Sequence, residues 1–312
     1  MKGKILITDT LFIEPEHEGQ IRDAGYEIER LNKSEATEDE LVEAVKGKIG
    51  YILGGIEKVT DKIIGAGVDL KAIVFTGIAY KDFITGWEKA TEKGVAIANT
   101  PDGPTYAVAE WAITMALAMN RNIFDLGRIG DKKFLTTPGI ENQQIGIVGL
   151  GRIGSQIGEI IRVFRPASVS YWNRTRKLEK EKELSINYSE LPDLLNGSDI
   201  VFVCLSKDVG ENFIGEKELK MMKNNALLLT FMHSKVIDEV ALLHVLQEGR
   251  IRAVSDYPAK SSAFNDLPMS RWYSFNASNA FNTASEIKLV SDMATQSLLN
   301  LLETGEDNNK VN

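Results

Sequence analysis

The chain has 312 residues, more than a single hydrophobic core usually organises, so two domains are expected. It is 43% hydrophobic and 26% charged, an ordinary globular composition. Its 36 Lys and Arg against 44 Asp and Glu leave a net charge of −8, which argues against a general nucleic-acid binder.

The opening "MKGKILITD" passes from two lysines directly into a strand-like run, without the apolar core of a signal peptide. Nor does any apolar stretch approach the roughly 20 residues of a membrane helix. The expected address is the cytoplasm, with a small-molecule substrate and neither nucleic acid nor membrane as partner. In the first hundred residues "KILITD", "YEIERL", "YILGG", "AIVFTG" and "VAIANT" read as strands, separated by polar amphipathic segments such as "TEDELVEAVKG". At Pro101 the rhythm changes. "PTYAVAEWAITMALAMNRNI" predicts a long apolar helix opened by Pro104. A second series of strands follows in "QQIGIVGLG", "SVSYWN", "DIVFVCL", "ALLLTF" and "IRAVSDY". "SEIKLVSDMATQSLLNLLET" predicts the final helix, and the polar tail "GEDNNKVN" is expected to fray.

This alternation predicts an α/β protein: two Rossmann-like, doubly wound parallel-sheet domains with a cleft between them. The expected division is residues 1–100 with 283–312 against residues 101–282. Cys204 is the only cysteine, so no internal disulfide forms, and its strand-like setting reads as a packed core thiol.

The sharpest local signal is "IGIVGLGRIGSQIGEIIRVF", residues 145–164. Gly149, Gly151 and Gly154 form a G-x-G-x-x-G fingerprint between an apolar strand and an amphipathic helix. The first glycine permits a tight turn, the second lets backbone approach a pyrophosphate, and the third allows close helix–strand packing. Arg152 and Ile153 then open a helix whose N–H groups face the phosphates. A carboxylate is expected about 20 residues later to accept the adenosine ribose hydroxyls. Asn173 stands there instead, followed by Arg174, Thr175 and Arg176, which favours a 2′-phosphate. NADP is therefore the expected cofactor, with NAD as the alternative.

"TGIAYKDFITGWEKATEKGVAIANTP", "AVAEWAITMALAMNRNI", "LPDLLNGSDIVFVCLSKDVGENFIGEKELKMMKNNALLL" and "KVIDEVALLHVLQEGRIRAVSDY" together resemble the D-isomer-specific 2-hydroxyacid dehydrogenases over nearly the whole chain. The resemblance implies a homodimer and hydride transfer between a nicotinamide and a small 2-oxo or 2-hydroxy acid. It adds Cys204, Leu205, Ser206, Thr230, Phe231, Met232 and Asp256 to the expected cofactor contacts, with no metal. Val108, Trp111, Ala112, Met115, Leu117 and Met119 look like more apolar surface than one helix stripe buries, and so point to the dimer interface.

Family chemistry rests on an arginine that holds the substrate carboxylate, a proton-transferring histidine and a glutamate that keeps the histidine protonated. Here His233 stands at the arginine position in "TFMHSKVIDE", and no glutamate occurs between Gly249 and Ser285. Ser278 or Asn279 replaces the histidine. His233 and Lys81 are the substitute catalytic candidates, with Tyr80, Tyr106, Tyr257 and Tyr273 weaker, and His17 and His244 read as packed or surface residues. Three readings stand: an oxidoreductase with a non-standard substrate, a non-catalytic dinucleotide sensor, and a 2-hydroxyacid dehydrogenase with relocated acid–base groups.

Overall fold

Runs of β-branched and aliphatic residues, punctuated by Gly and Asn turns, form short parallel strands, and the polar segments between them form the covering helices. In chain order the elements begin with β1 (Gly3–Thr8), α1 (Pro15–Asp23), β2 (Tyr26–Leu31), α2 (Glu38–Ala44), β3 (Lys48–Leu53), α3 (Asp61–Ala66), β4 (Ala72–Phe75), α4 (Tyr80–Phe83), α5 (Trp87–Glu92) and β5 (Ala96–Asn99). They continue with α6 (Thr105–Asn120), α7 (Ile123–Ile129), β6 (Gln144–Val148), α8 (Arg152–Ile161), β7 (Ser168–Trp172), α9 (Leu178–Leu184), β8 (Asn187–Tyr188), α10 (Leu191–Gly197) and β9 (Ile200–Val203). The last are α11 (Glu216–Met221), β10 (Leu227–Thr230), α12 (Glu239–Gln247), β11 (Arg252–Ser255), β12 (Trp272–Ser274) and α13 (Ala284–Thr304). The structure is a computed structural model that describes residues 1–8, 11–33, 35–101, 103, 105–129, 136–231, 235–274 and 279–312. The side chains of residues 127–129 and 207 are also outside the description, as is Pro104, the expected helix opener.

The chain divides into two units, Met1–Pro104 with Asn282–Asn312, and Thr105–Phe281. The first carries a five-stranded sheet in the order β2-β1-β3-β4-β5, and the second a seven-stranded sheet in the order β12-β11-β10-β9-β6-β7-β8. Every strand pair within both sheets is parallel. In the second unit, β9 shows why such strands read as continuous apolar runs. Ile200 and Phe202 enter one buried cluster, and Val201 and Val203 enter another on the opposite face.

Two expectations need correction. The polar tail does not fray. Ile97 N–H donates to Asn312 Oδ1 at 2.6 Å, Val311 N–H to Ile97 O at 2.8 Å and Asn99 N–H to Asn309 O at 3.2 Å. Ala98 and Lys310 form an antiparallel bridge, so the tail covers the otherwise open edge of β5. The surplus apolar surface counted on α6 is also absorbed internally. Val108, Ala112, Met115 and Met119 are buried in one cluster with Ile145, Ile147, Ile157 and Ile161, while Trp111 and Leu117 pack against it. That surface is core of the second unit, so it carries no inference about a dimer.

Candidate cofactor and active site

The strands of the second unit deliver the expected cofactor residues at their carboxyl ends, where open α/β sheets bind ligands. Gly149 leaves β6 with φ 101°, a conformation that L side chains rarely adopt. A Cβ there would lie 2.8 Å from Cys204 O, and its N–H donates to Trp172 O at 2.8 Å. A Cβ on Gly154 would lie 2.1 Å from Gly149 O, so the third glycine is what lets α8 fold back onto its own loop. Gly151 is different: nothing lies within 4 Å of a Cβ built on it. It is the N-cap of α8, and no side chain caps that helix. An open approach to an uncapped helix N-terminus fits a dinucleotide pyrophosphate. Arg152 is exposed and Ile153 half-buried on that first turn.

Asn173 braces the loop from the end of β7. Its Oδ1 accepts from Leu150 N–H at 3.3 Å, and its Nδ2 donates to Thr175 O at 2.9 Å. Arg174 and Thr175 are exposed. Among the described residues the Arg174 guanidinium makes one long hydrogen bond, 3.4 Å to Asp208 O. Arg176, by contrast, is committed to Glu181 through two bonds of 2.7 and 2.8 Å and lies over the Tyr188 ring. Arg176, with help from the Tyr171 hydroxyl, holds the Glu181 carboxyl down to about 2. Among the described residues, Arg174 is thus less committed than Arg176.

The remaining expected contacts divide between packing and site. Cys204 follows β9, and burial pushes its thiol pKa up, which keeps the sulfur protonated. Leu205 and Phe231 are buried in core clusters, the latter edge-on to Trp111 at 6.2 Å. Ser206 is exposed, and its hydroxyl donates to Asp208 Oδ2 at 3.2 Å. Thr230 O accepts from Asp256 N–H at 3.1 Å, joining the ends of β10 and β11. The buried Asp256 carboxylate accepts from Asn279 N–H at 3.0 Å and from Ala280 N–H at 3.1 and 3.2 Å. It thereby anchors the segment that resembles the family's histidine region. Met232, His233 and Ser278 lie outside the described residues.

Lys81 belongs to the first unit, on α4. It is exposed, and its ammonium sits 4.1 Å over the Trp87 ring and 5.9 Å from Tyr80. The loop before it is held by Asn99, whose Nδ2 donates to Ile78 O at 2.9 Å, and by Thr100 N–H to Gly77 O at 3.1 Å. Tyr106 is exposed, Tyr257 is half-buried, and Tyr273 stacks on Phe124 at 4.1 Å. His17 is buried with Nε2 2.9 Å from Asp292 Oδ1, and His244 is on the surface of α12. The sequence reading did not single out one buried polar cluster in the first unit. Tyr51 donates to Glu57 Oε1 at 3.2 Å and lies 3.3 Å from the Thr8 hydroxyl, all three residues being buried. No motif or spacing in the sequence links them.

Two parallel α/β units, one carrying a complete glycine fingerprint on an uncapped helix, are the architecture of a dinucleotide-binding protein. Residues 113–276 match the family model described as the D-isomer specific 2-hydroxyacid dehydrogenase NAD binding domain. Glyoxylate reductase of Thermococcus litoralis is 32% identical over 266 residues, which is 80% of this chain and 78% of that relative. The chain belongs to the D-isomer-specific 2-hydroxyacid dehydrogenase family, a family of NAD(P)-dependent oxidoreductases. Among solved structures, the TT0316 protein from Thermus thermophilus shares the fold with a TM-score of 0.87 at 23% identity, covering 99% of this chain and 100% of that one. An acyclic imino acid reductase, Bsp5, solved with NADPH and D-Arg, shares it with a TM-score of 0.85 at 21% identity, covering 99% and 100%. No helix among the described residues is long and apolar enough to cross a membrane.

Proposed function

We propose that this chain is an NADPH-preferring reductase of its family that acts on a substrate other than an ordinary 2-oxo acid. The carrying observation is a contrast. The loop at 149–154 is shaped for a dinucleotide, with Gly151 open and α8 uncapped. Yet positions 278 and 279 hold Ser and Asn, no glutamate stands between Gly249 and Ser285, and His233 replaces the arginine. When bound, the cofactor supplies hydride, and the protein supplies orientation and electrostatics. A neutral imidazole or a single imidazolium cannot reproduce the two-pronged donor face that an arginine offers a carboxylate.

Preference for NADPH rests on Asn173, which adds no charge to repel a 2′-phosphate, and on Arg174 and Thr175, which are exposed to hold one. A substrate that arrives electrophilic, such as an iminium, needs less proton donation than a ketone, and an imine is the proposed class. The shared fold of an imino acid reductase is compatible with this reading. His233 and Lys81 are the proposed acid–base candidates. Family membership supports a homodimer and a cytoplasmic enzyme, to which α6 adds nothing. The test is a panel of glyoxylate, hydroxypyruvate, aldehydes and cyclic and acyclic imines with NADPH and NADH. Turnover of an imine with NADPH, with little or none of glyoxylate, is expected; rapid reduction of glyoxylate with NADH overturns the proposal.

A further inference from the structure

At the end of the seven-stranded sheet opposite the glycine loop, two arginines stand side by side. Arg252 opens β11, Arg271 immediately precedes β12, and Ala253 N–H donates to Arg271 O at 2.9 Å. With Ala253 paired to Trp272, the two arginines are one step back on adjacent parallel strands. Both line a cavity of about 260 Å³ that also takes in Asn120, Thr137, Asn225 and Ser270. The cavity lies wholly within the second unit.

Among the described residues the partners of these guanidiniums are all neutral. Arg252 donates through Nε to Asn225 O at 3.2 Å, through Nη1 to Met119 O at 3.2 Å and through Nη2 to Asn120 Oδ1 at 2.9 Å. Arg271 donates through Nη1 to Gly249 O at 2.8 Å and Ile251 O at 2.9 Å. Each guanidinium has five N–H groups, so both keep donors in reserve. Among the described residues neither forms an ion pair with a carboxylate, although acids outnumber bases in this chain. Like charges facing each other across adjacent strands are destabilising unless a counter-charge joins them. Burial, together with the charge of Arg271, lowers the Arg252 pKa below the ordinary guanidinium value, as expected of a cation short of an anion.

We propose that this cavity is a binding site for a phosphate oxyanion, either inorganic phosphate or a short phosphate monoester. Two adjacent guanidiniums match the two negative charges of phosphate near neutral pH, and planar forks of donors suit its oxygens. The Thr137 and Ser270 hydroxyls and the Asn120 and Asn225 amides suit the polar body of a small monoester. The volume falls below the roughly 300 Å³ at which drug-sized pockets begin, which limits the ligand to a few heavy atoms beyond the phosphate. An anion there ties the C-terminal end of α6 to β11 and β12, so binding raises the stability of the second unit.

The test is thermal unfolding of the full chain at constant ionic strength, with saturating NADPH so that the glycine loop is filled. Inorganic phosphate and glycerol phosphate are titrated in separate arms. A saturable rise in melting temperature is expected, with an apparent affinity about tenfold or more weaker in Arg271→Gln, as for loss of a charge-assisted contact. In Ser270→Asp a carboxylate beside both arginines replaces the ligand, and the phosphate-dependent rise is lost although Arg271 is intact. Should Arg271→Gln fail to fold, Ser270→Asp decides alone. The tighter arm identifies the source. No rise in the presence of NADPH, or a rise that persists unchanged in both variants, overturns the proposal.

Discussion

The side-chain amide of Asn173 joins the glycine loop to the loop after β7: Oδ1 accepts from Leu150 N–H at 3.3 Å while Nδ2 donates to Thr175 O at 2.9 Å. Asn173→Asp keeps the acceptor, removes the donor and places a negative charge beside Arg174. A carboxylate there accepts ribose hydroxyls and repels a 2′-phosphate. The NADPH to NADH affinity ratio is expected to fall by about tenfold or more. Calorimetric titration of both cofactors checks it, and an unchanged ratio contradicts the role given to Asn173.

Arg174 and Arg176 should behave differently despite standing two residues apart. Arg174→Ala is expected to weaken NADPH by about 1.5 kcal/mol, the low end for a charge-assisted bond because the side chain is exposed, and to leave NADH nearly unchanged. Arg176→Ala releases Glu181, whose carboxyl the native pair holds from 4.5 down to about 2. A depressed carboxylate contributes stability that is present above its unfolded pKa and lost as pH falls through the folded one. In Arg176→Ala the larger part of that contribution is lost, with only the Tyr171 hydroxyl still donating to Glu181 at 2.7 Å, so acid unfolding should begin at a higher pH than in the native chain. Circular dichroism between pH 5 and about 2 reads this directly.

The three glycines of the fingerprint should separate stability from binding. Gly154→Ala drives a Cβ to 2.1 Å from Gly149 O and is expected to cost about 1 to 3 kcal/mol or more of stability. Gly151→Ala has open space and an extended backbone that alanine accepts, so its melting temperature should match the native chain. Its methyl instead occupies the approach to the phosphates, and dinucleotide affinity should drop sharply. Equal binding by Gly151→Ala and the native chain would mean that the pyrophosphate does not approach here.

Much of the second unit was legible because its chemistry is local. The fingerprint, the strand before it and the helix after it fall within residues 145–164, and the ten strands with apolar runs were read at their places. β8 and β12 were not, since two and three residues such as Asn187–Tyr188 and Trp272–Ser274 leave no periodicity to detect. Polar composition cannot distinguish a solvated end from one whose Asn309 and Asn312 pair with a strand edge about 200 residues away. Nor can periodicity tell an interface from a core: the apolar residues of α6 meet Ile157 and Ile161 only through the fold. In the candidate site, sequence gives Arg174 and Arg176 equal standing, and only the fold pairs Arg176 with Glu181.

The tail yields a prediction of its own. Ending the chain after residue 306 removes Asp307, which accepts from Ser297 at 2.8 Å and Asn300 at 2.8 Å, and strips the hydrogen bonds from Ile97 and Asn99. A loss of roughly 2 to 4 kcal/mol is expected in urea unfolding, from several bonds of about 1 kcal/mol each. The uncovered β5 edge should also promote association at high concentration. An unchanged unfolding midpoint would show the tail to be dispensable.

The proposed function requires a working dinucleotide site beside a replaced acid–base set, and kcat/KM for glyoxylate with NADPH reads both. General acid–base catalysis contributes roughly 10² to 10⁴-fold, about 3 to 5.5 kcal/mol of barrier. The expected value is therefore at least about a hundredfold below that of a family member carrying arginine, glutamate and histidine, in a protein that still binds NADPH by calorimetry. Parity with such a member would contradict the account and place an efficient proton donor where the altered residues stand.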